Sequence, residues 1–418
     1  MAGRSSILIL FLFLSVAARA AEKDPKEEPD FKARVNAAVG KGLQWLLQRQ
    51  VVDGRFPPFE DARGDIFPLG MHALSTLAVI KCDHPLESKE LRSAFRALFA
   101  LADAQQYTLK TYEAALTLMV LDAKYTTQPL EDRDQKRPPK KVKVEPEDRE
   151  LARRMLLFLQ TKQADGGLWR YPEEGQDLSN TQYALLGLWS ASRLGLEVNR
   201  GVVRRALETT LQWQQADGPV VPRLLPSPDR RYGAWMEAGK DRARGWRYMP
   251  DFERTVDGGL VEKVTYPYSG SMTSAGIAIL AIGREILGKD TWLTPERDRQ
   301  VRQSMFDGFA WIGRHFQVAD NPGQPGNWPF YWIYGLERAA RLAAIEYVGQ
   351  HDWYFEGAAE LLNNQKPDGS WPLRQRMRPP KDANVRWWSD QVDTAFALLF
   401  LTRSTPQLKI PPPVTSGG

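Results

Sequence analysis

Two helical patterns alternate along this chain of 418 residues. In the first, apolar residues recur on one face, as at Val35, Val39, Leu43, Leu46 and Leu47, and again at Leu151, Met155, Phe158 and Leu159. Spacings of three and four predict a surface helix with an inward stripe. Further copies run over 202–213, 305–312 and 355–362. The second pattern is rich in Ala and Leu on nearly every face, over 69–78, 112–119, 182–188, 273–280, 337–344 and 393–399. A helix apolar all round is buried on all sides. Six outer helices alternating with six inner ones predict an all-α fold, a single (α/α)6 toroid.

A short phrase punctuates the alternation. It reads Gln50-x-x-Asp53-Gly54-x-Phe56, then Gln163-x-Asp165-Gly166-Gly167-x-Trp169, then Gln215-x-Asp217-Gly218, then Gln365-x-x-Asp368-Gly369-x-Trp371. Its Asp positions lie close to two, one and three units of about fifty residues apart, so two degenerate repeats belong inside the longer gaps. Repeat two lacks the phrase, and repeat five keeps only Gly326-Asn327-Trp328. The Gly of each phrase stops the outer helix before it.

This pattern predicts a toroid over 33–403, with insertions near 126–148 and 219–266. Residues 1–20 read as a signal peptide: Arg4, an apolar run from Ile7 to Val16, then Ala18-Arg19-Ala20. Residues 21–32 read as a disordered linker and 404–418 as a Pro-rich tail. The expectation is an exported protein, periplasmic or secreted, with no transmembrane segment once the leader is removed. A composition 43% hydrophobic and 26% charged suits an ample core. The net charge of +5 has no clustered basic face, so nucleic acid is excluded as a partner. Cys82 is the single cysteine, which rules out an internal disulfide and a cysteine metal cage. No cofactor or metal is implied.

The Gln-to-Trp phrase at helix-pair spacing resembles the QW-type repeat of the terpene cyclase and prenyltransferase superfamily. The best copies are 159–169 and 362–371. The resemblance implies a terpenoid-cyclase-type toroid in which the phrase clamps neighbouring repeats and chemistry sits in a central cavity. The family's catalytic motifs are not complete here. Class II cyclases use Asp-x-Asp-Asp to protonate an alkene, and the nearest text is Asp390-Gln391-Val392-Asp393-Thr394-Ala395. Prenyltransferases hold zinc with Asp, Cys and His, whereas Cys82-Asp83-His84 is contiguous. The thioester sequence of the complement-type relatives is absent.

Aligning the inner helices on their first Ala puts polar residues in two rings around one mouth. One is Met71, Tyr112, Gln182, Thr273, Glu337 and Asp393; the other is His72, Glu113, Tyr183, Ser274, Arg338 and Thr394. Acid–base chemistry would draw on His72, Glu113, Tyr183, Asp390 and Asp393. Ligand contacts would come from Tyr112, Gln182 and Glu337 and from the loop aromatics Tyr268, Trp332, Tyr334, Trp387 and Trp388. Helix capping competes with these roles, most strongly at Ser179, Ser389, Asp390 and Thr394. Three functions follow. The first is an exported repeat protein whose cavity binds a hydrophobic or carbohydrate ligand. The second is an extracellular polysaccharide lyase or hydrolase. The third is a divergent terpene cyclase using Asp390 and Asp393. The oligomeric state is not legible.

Overall fold

A computed structural model describes residues 29–56, 67–105, 108–130, 143–171, 175–227, 234–255, 261–371 and 390–408. Twelve helices make six pairs. The outer members are α1 (Pro29–Leu47), α3 (Lys89–Ala104), α5 (Pro146–Thr161), α7 (Arg200–Gln212), α9 (Pro295–Arg314) and α11 (Trp353–Asn364). The inner members are α2 (Pro68–Lys81), α4 (Thr111–Thr126), α6 (Leu178–Arg193), α8 (Gly270–Leu287), α10 (Pro329–Ala343) and α12 (Asp390–Leu401). Each inner helix packs on the next around the ring, and α12 returns to α2. The all-α toroid predicted from the pattern is the observed fold. Helix α1 starts at Pro29, inside the 21–32 stretch expected to be a linker, whose earlier residues lie outside the described ones.

Burial separates the two classes as the patterns require. Outer α3 buries Leu91, Ala94, Ala97, Leu98, Leu101 and Ala102, a stripe at spacings of three and four. Inner α2 buries every residue from Leu69 to Lys81. Small residues permit this crowding: a Cβ on Gly187 of α6 would lie 2.9 Å from the Ala115 Cα of α4. Capping fixes the starts. Ser88, Asp177, Asn199, Ser269, Thr294 and Asp352 each accept a backbone N–H from the first turn of the helix that follows.

The β structure is accessory. β1 (Trp169–Arg170) pairs with β2 (Gln176–Asp177) beside the start of α6. The 219–266 insertion folds as two antiparallel hairpins, β3 (Val220–Pro226) with β4 (Trp235–Arg242) and β5 (Phe252–Thr255) with β6 (Val261–Val264). β7 (Tyr347–Val348) and β8 (His351–Asp352) form a small turn before α11. The first hairpin lies along α9, where Asp307 accepts from Arg242 N at 2.9 Å and binds the Arg244 guanidinium. No helix among the described residues is long and apolar enough to cross a membrane.

Candidate functional site

The phrase that punctuates the sequence builds the rim. In each of four repeats a Gln amide donates to a carbonyl within its own phrase and to one in the next outer helix. Gln50 reaches Gly54 and Glu90 oxygens, and Gln163 reaches Gly167 and Val202. Gln365 reaches Gly369 and Ala38, which ties repeat six to α1 and closes the ring. In repeat four the clamp is Gln214, bonded to Arg244 and Ser304 oxygens, not Gln215 as the phrase suggested. The 219–243 stretch separates Gln214 from Arg244, which takes the place of the phrase Gly. The true phrase glycines turn with positive φ: +89° at Gly54, +86° at Gly167 and +94° at Gly369. A Cβ there would stand 2.5 to 2.8 Å from a carbonyl oxygen of the next outer helix.

The aromatic that ends each phrase is held by an inner helix. Trp169, Trp246 and Trp371 donate their backbone N–H to Thr181, Thr273 and Thr394 at 3.0 to 3.1 Å. Phe56 donates instead to His72 Nδ1 at 3.3 Å. His72 Nε2 lies 2.9 Å from the Ala94 carbonyl, so Nε2 carries the hydrogen and the imidazole is neutral. Burial holds its pKa down at about 4. His72 therefore does in repeat one what threonine does in three others, and the geometry assigns it to packing. Thr394 likewise holds Trp371 rather than capping α12.

These matches correct the two rings. His72, Thr181, Thr273 and Thr394 are equivalent, so alignment on the first Ala slips by two residues in α6 and by one in α8. In α10 it slips further, because the first turn is Pro329-Phe330-Tyr331-Trp332 and the first Ala lies beyond Arg338. Glu337 is consequently remote from the mouth, with its carboxylate accepting from Thr405 N and Thr405 Oγ1 at 2.9 and 2.8 Å. Glu113 accepts from the N–H groups of Lys110 and Gly70, capping α4 and α2 together. Burial raises its pKa to about 7.

The groups that do converge form a chain across the ring. Tyr112 of α4 donates to Ser179 Oγ of α6 at 2.6 Å, and Ser179 Oγ lies 2.6 Å from the hydroxyl of Tyr331 on α10. Gln182 Nε2 also donates to Tyr331, and Arg338 donates to Gln182 Oε1 at 3.0 Å and to the Tyr183 hydroxyl at 3.4 Å. Helix α8 separates α6 from α10 in the ring, so Tyr331 bridges the centre. Ser179, expected to cap, is the middle of this bridge; Asp177 is the cap, accepting from Asn180 N at 2.7 Å. Burial raises the phenol pKa values of Tyr112 and Tyr331, which keeps both hydroxyls protonated.

Counting hydrogens exposes what the network lacks. The Tyr112 hydrogen is spent on Ser179. One bond joins Ser179 and Tyr331, so of their two hydroxyl hydrogens one has no acceptor among the described residues. Both residues are nearly buried, at 8% and 9% exposure.

Half-buried aromatics surround this bridge. Tyr112 stands 5.8 Å from Tyr171 and 4.7 Å from Tyr183, ring to ring. Tyr248 stands 5.1 Å from Tyr266, and its hydroxyl bonds the buried Asp177 carboxylate. Burial pushes the Asp177 pKa up to about 7. The Tyr268 hydroxyl accepts from Arg247 at 2.9 Å. Tyr334 stacks on Phe396 at 5.6 Å, whereas Trp332 is fully buried and donates its indole N–H to the Gln317 carbonyl. Trp387, Trp388 and Ser389 lie outside the described residues.

Asp390 and Asp393 stand on α12 at the offsets of Asp177 and Asn180 on α6, counted from Thr394 and Thr181. Asp390 pairs with Lys366 at 2.5 Å. Asp393 is buried, one of its oxygens has no partner among the described residues, and burial and the Asp390 charge hold its pKa well above the usual range. The sequence reading missed Asp177, and it did not single out Tyr248 or Tyr331 as site residues. Pro329 at the first helical position was the available signal for Tyr331, since it marks where α10 begins.

No family model matches this chain, and no curated protein matches it. Solved structures do. A cellobiose 2-epimerase from Bacillus thermoamylovorans is 11% identical over 90% of this chain and all of its own, with a TM-score of 0.52. An α-1,6-mannanase from a Salegentibacter species is 9% identical over 88% of this chain and 99% of its own, at 0.51. A type II terpene cyclase from Scytonema is 12% identical over 89% and 99%, at 0.44. At these identities the likeness is one of fold, and it places the chain among the α/α toroids.

Proposed function

We propose that this is an exported QW-type repeat protein whose central mouth binds carbohydrate. The observation that carries the reading is the Tyr112–Ser179–Tyr331–Gln182 bridge, nearly buried yet holding one hydroxyl hydrogen without an acceptor among the described residues. A sugar hydroxyl is the complementary acceptor, and the surrounding Tyr171, Tyr248, Tyr266 and Tyr268 rings offer the faces on which pyranose C–H groups pack. An isoprenoid would offer that one hydroxyl hydrogen no acceptor, at a cost of roughly 1–3 kcal/mol. The epimerase and the mannanase are carbohydrate enzymes by name and use the same barrel, which agrees with the reading without carrying it. Export rests on residues 1–20, which lie outside the described residues.

A catalytic version of the same reading is favoured by Asp177, a carboxyl with a pKa near 7 bonded to the phenol of Tyr248. Such a group both donates and accepts a proton near neutrality. The cyclase alternative would rest on protonated Asp393, which stands at the Asn180 position beside its own helix start. Thermal shift of the purified protein against neutral and acidic oligosaccharides and against isoprenoid alcohols tests the proposal. The expected result is stabilisation by a sugar class alone, and stabilisation by isoprenoids alone would overturn it. If sugars are turned over, Asp177→Asn should retain binding and lose turnover.

A further inference from the structure

Arg338 is fully buried in α10, and among the described residues no carboxylate pairs with it. Its Nη atoms meet an amide oxygen and a phenol, and its Nε has no hydrogen-bond partner among the described residues. Three phenol rings face the guanidinium, with Tyr334 at 4.2 Å, Tyr183 at 5.1 Å and Tyr331 at 5.9 Å. Of the other buried arginines, Arg223 pairs with Asp241 and Arg341 donates Nε to the Thr405 carbonyl. The half-buried Arg193 and Arg244 pair with Asp122 and Asp307. Glu337, the neighbour of Arg338 in sequence, spends both oxygens on Thr405.

A guanidinium keeps its charge at any pH a folded protein survives, so burial without an anion is costly. Ring faces and one amide return part of that cost. Replacing the amide oxygen by a carboxylate or sulfate oxygen adds the attraction of opposite charges, strong in a buried setting, to bonds whose donor is already ionised. Helix geometry places Arg338 below the bridge. Tyr331, Tyr334 and Arg338 follow at spacings of three and four, so they share one face of α10. Tyr331 forms the rim, with its hydroxyl on Ser179 and Gln182, and Arg338 lies beneath.

Resting on the carbohydrate reading, we propose that Arg338 makes this site selective for acidic sugars. Its guanidinium takes the carboxylate or sulfate ester of the ligand, and the Tyr331–Ser179 pair takes a neighbouring hydroxyl.

Titration calorimetry of the intact protein with oligogalacturonate, the same oligomer methyl-esterified, and a sulfated neutral oligosaccharide tests this. The acid form should bind more tightly than its ester by about tenfold or more. A preference seen only with the sulfated probe identifies a sulfate ester as the acid and supports the same assignment. Gln182→Glu should supply an internal counter-ion, abolish the preference and raise the melting temperature. Arg338→Gln should abolish the preference as well, and the Gln182→Glu measurement stands if that variant does not fold. Equal binding of acid and ester by the wild type overturns the proposal while leaving the carbohydrate reading intact, as does a preference that survives Gln182→Glu. Failure of every sugar to bind overturns the carbohydrate reading itself.

Discussion

The clamps at the rim and the bridge at the centre are both hydrogen-bonded, buried and aromatic, yet they differ in repetition. Each of the four clamps sets a Gln amide on two carbonyls and an aromatic backbone N–H on an inner-helix side chain, and in three of them an indole N–H also bonds the outer helix behind it. In the clamps the hydrogen-bonding atoms named here all find partners. The bridge occurs once, recruits α4, α6 and α10 unequally, and leaves a hydroxyl hydrogen and a guanidinium Nε without partners among the described residues. Interactions that recur at every repeat hold a toroid closed. Those that occur once, and are left incomplete, are where a ligand has something to add.

Breaking the clamp should damage the fold. Trp371→Ala removes a fully buried indole that packs against Gly42 and donates to the Leu361 carbonyl. The expected loss is about 3–5 kcal/mol, read from the midpoint of denaturant unfolding. Gln365→Leu is smaller in kind but acts at the seam between the last repeat and the first. Losing the two amide hydrogen bonds should cost about 1–3 kcal/mol, and thermal melts should show a loss no smaller than that of Gln163→Leu. A smaller loss at Gln365 would mean that the seam is held elsewhere.

His72→Thr sharpens the comparison by making repeat one like the others. The histidine titrates near 6.5 when unfolded and near 4 when folded, so the unfolded chain binds the proton first. The wild type thus holds its full His72 contribution above pH 6.5 and loses it as the pH falls toward 4. The threonine variant has no such slope, and its stability relative to the wild type should rise as pH drops from 7 to 4. An unchanged difference across that window would show that His72 is not the neutral acceptor of the Phe56 N–H.

The scaffold was legible because it repeats. Alternation of striped and all-apolar helices gave six pairs, and the phrase marked where four outer helices end. The site was less legible for the opposite reason. Aligning α10 on Ala339 made Glu337 and Arg338 look like a first turn, although Pro329 had already opened the helix two turns earlier. Ser179 looked like a cap because serine caps well, but the cap is Asp177, one residue before α6 begins. Gln214 and Gln215 are adjacent, and only the 219–243 stretch, by carrying the clamp partner to Arg244, decides between them. Burial of an unpaired arginine leaves no mark in the sequence at all.

The claim that the unrepeated bridge is the ligand site, separate from the clamps, has a direct test in Tyr331→Phe. The substitution keeps the ring that faces Phe396 and removes only the hydroxyl shared with Ser179 and Gln182. Titration calorimetry with a sugar that binds the wild type, run beside a thermal melt, reads both properties at once. The account predicts that affinity falls by about tenfold or more while stability changes by about 1 kcal/mol or less. Wild-type affinity in Tyr331→Phe would contradict it.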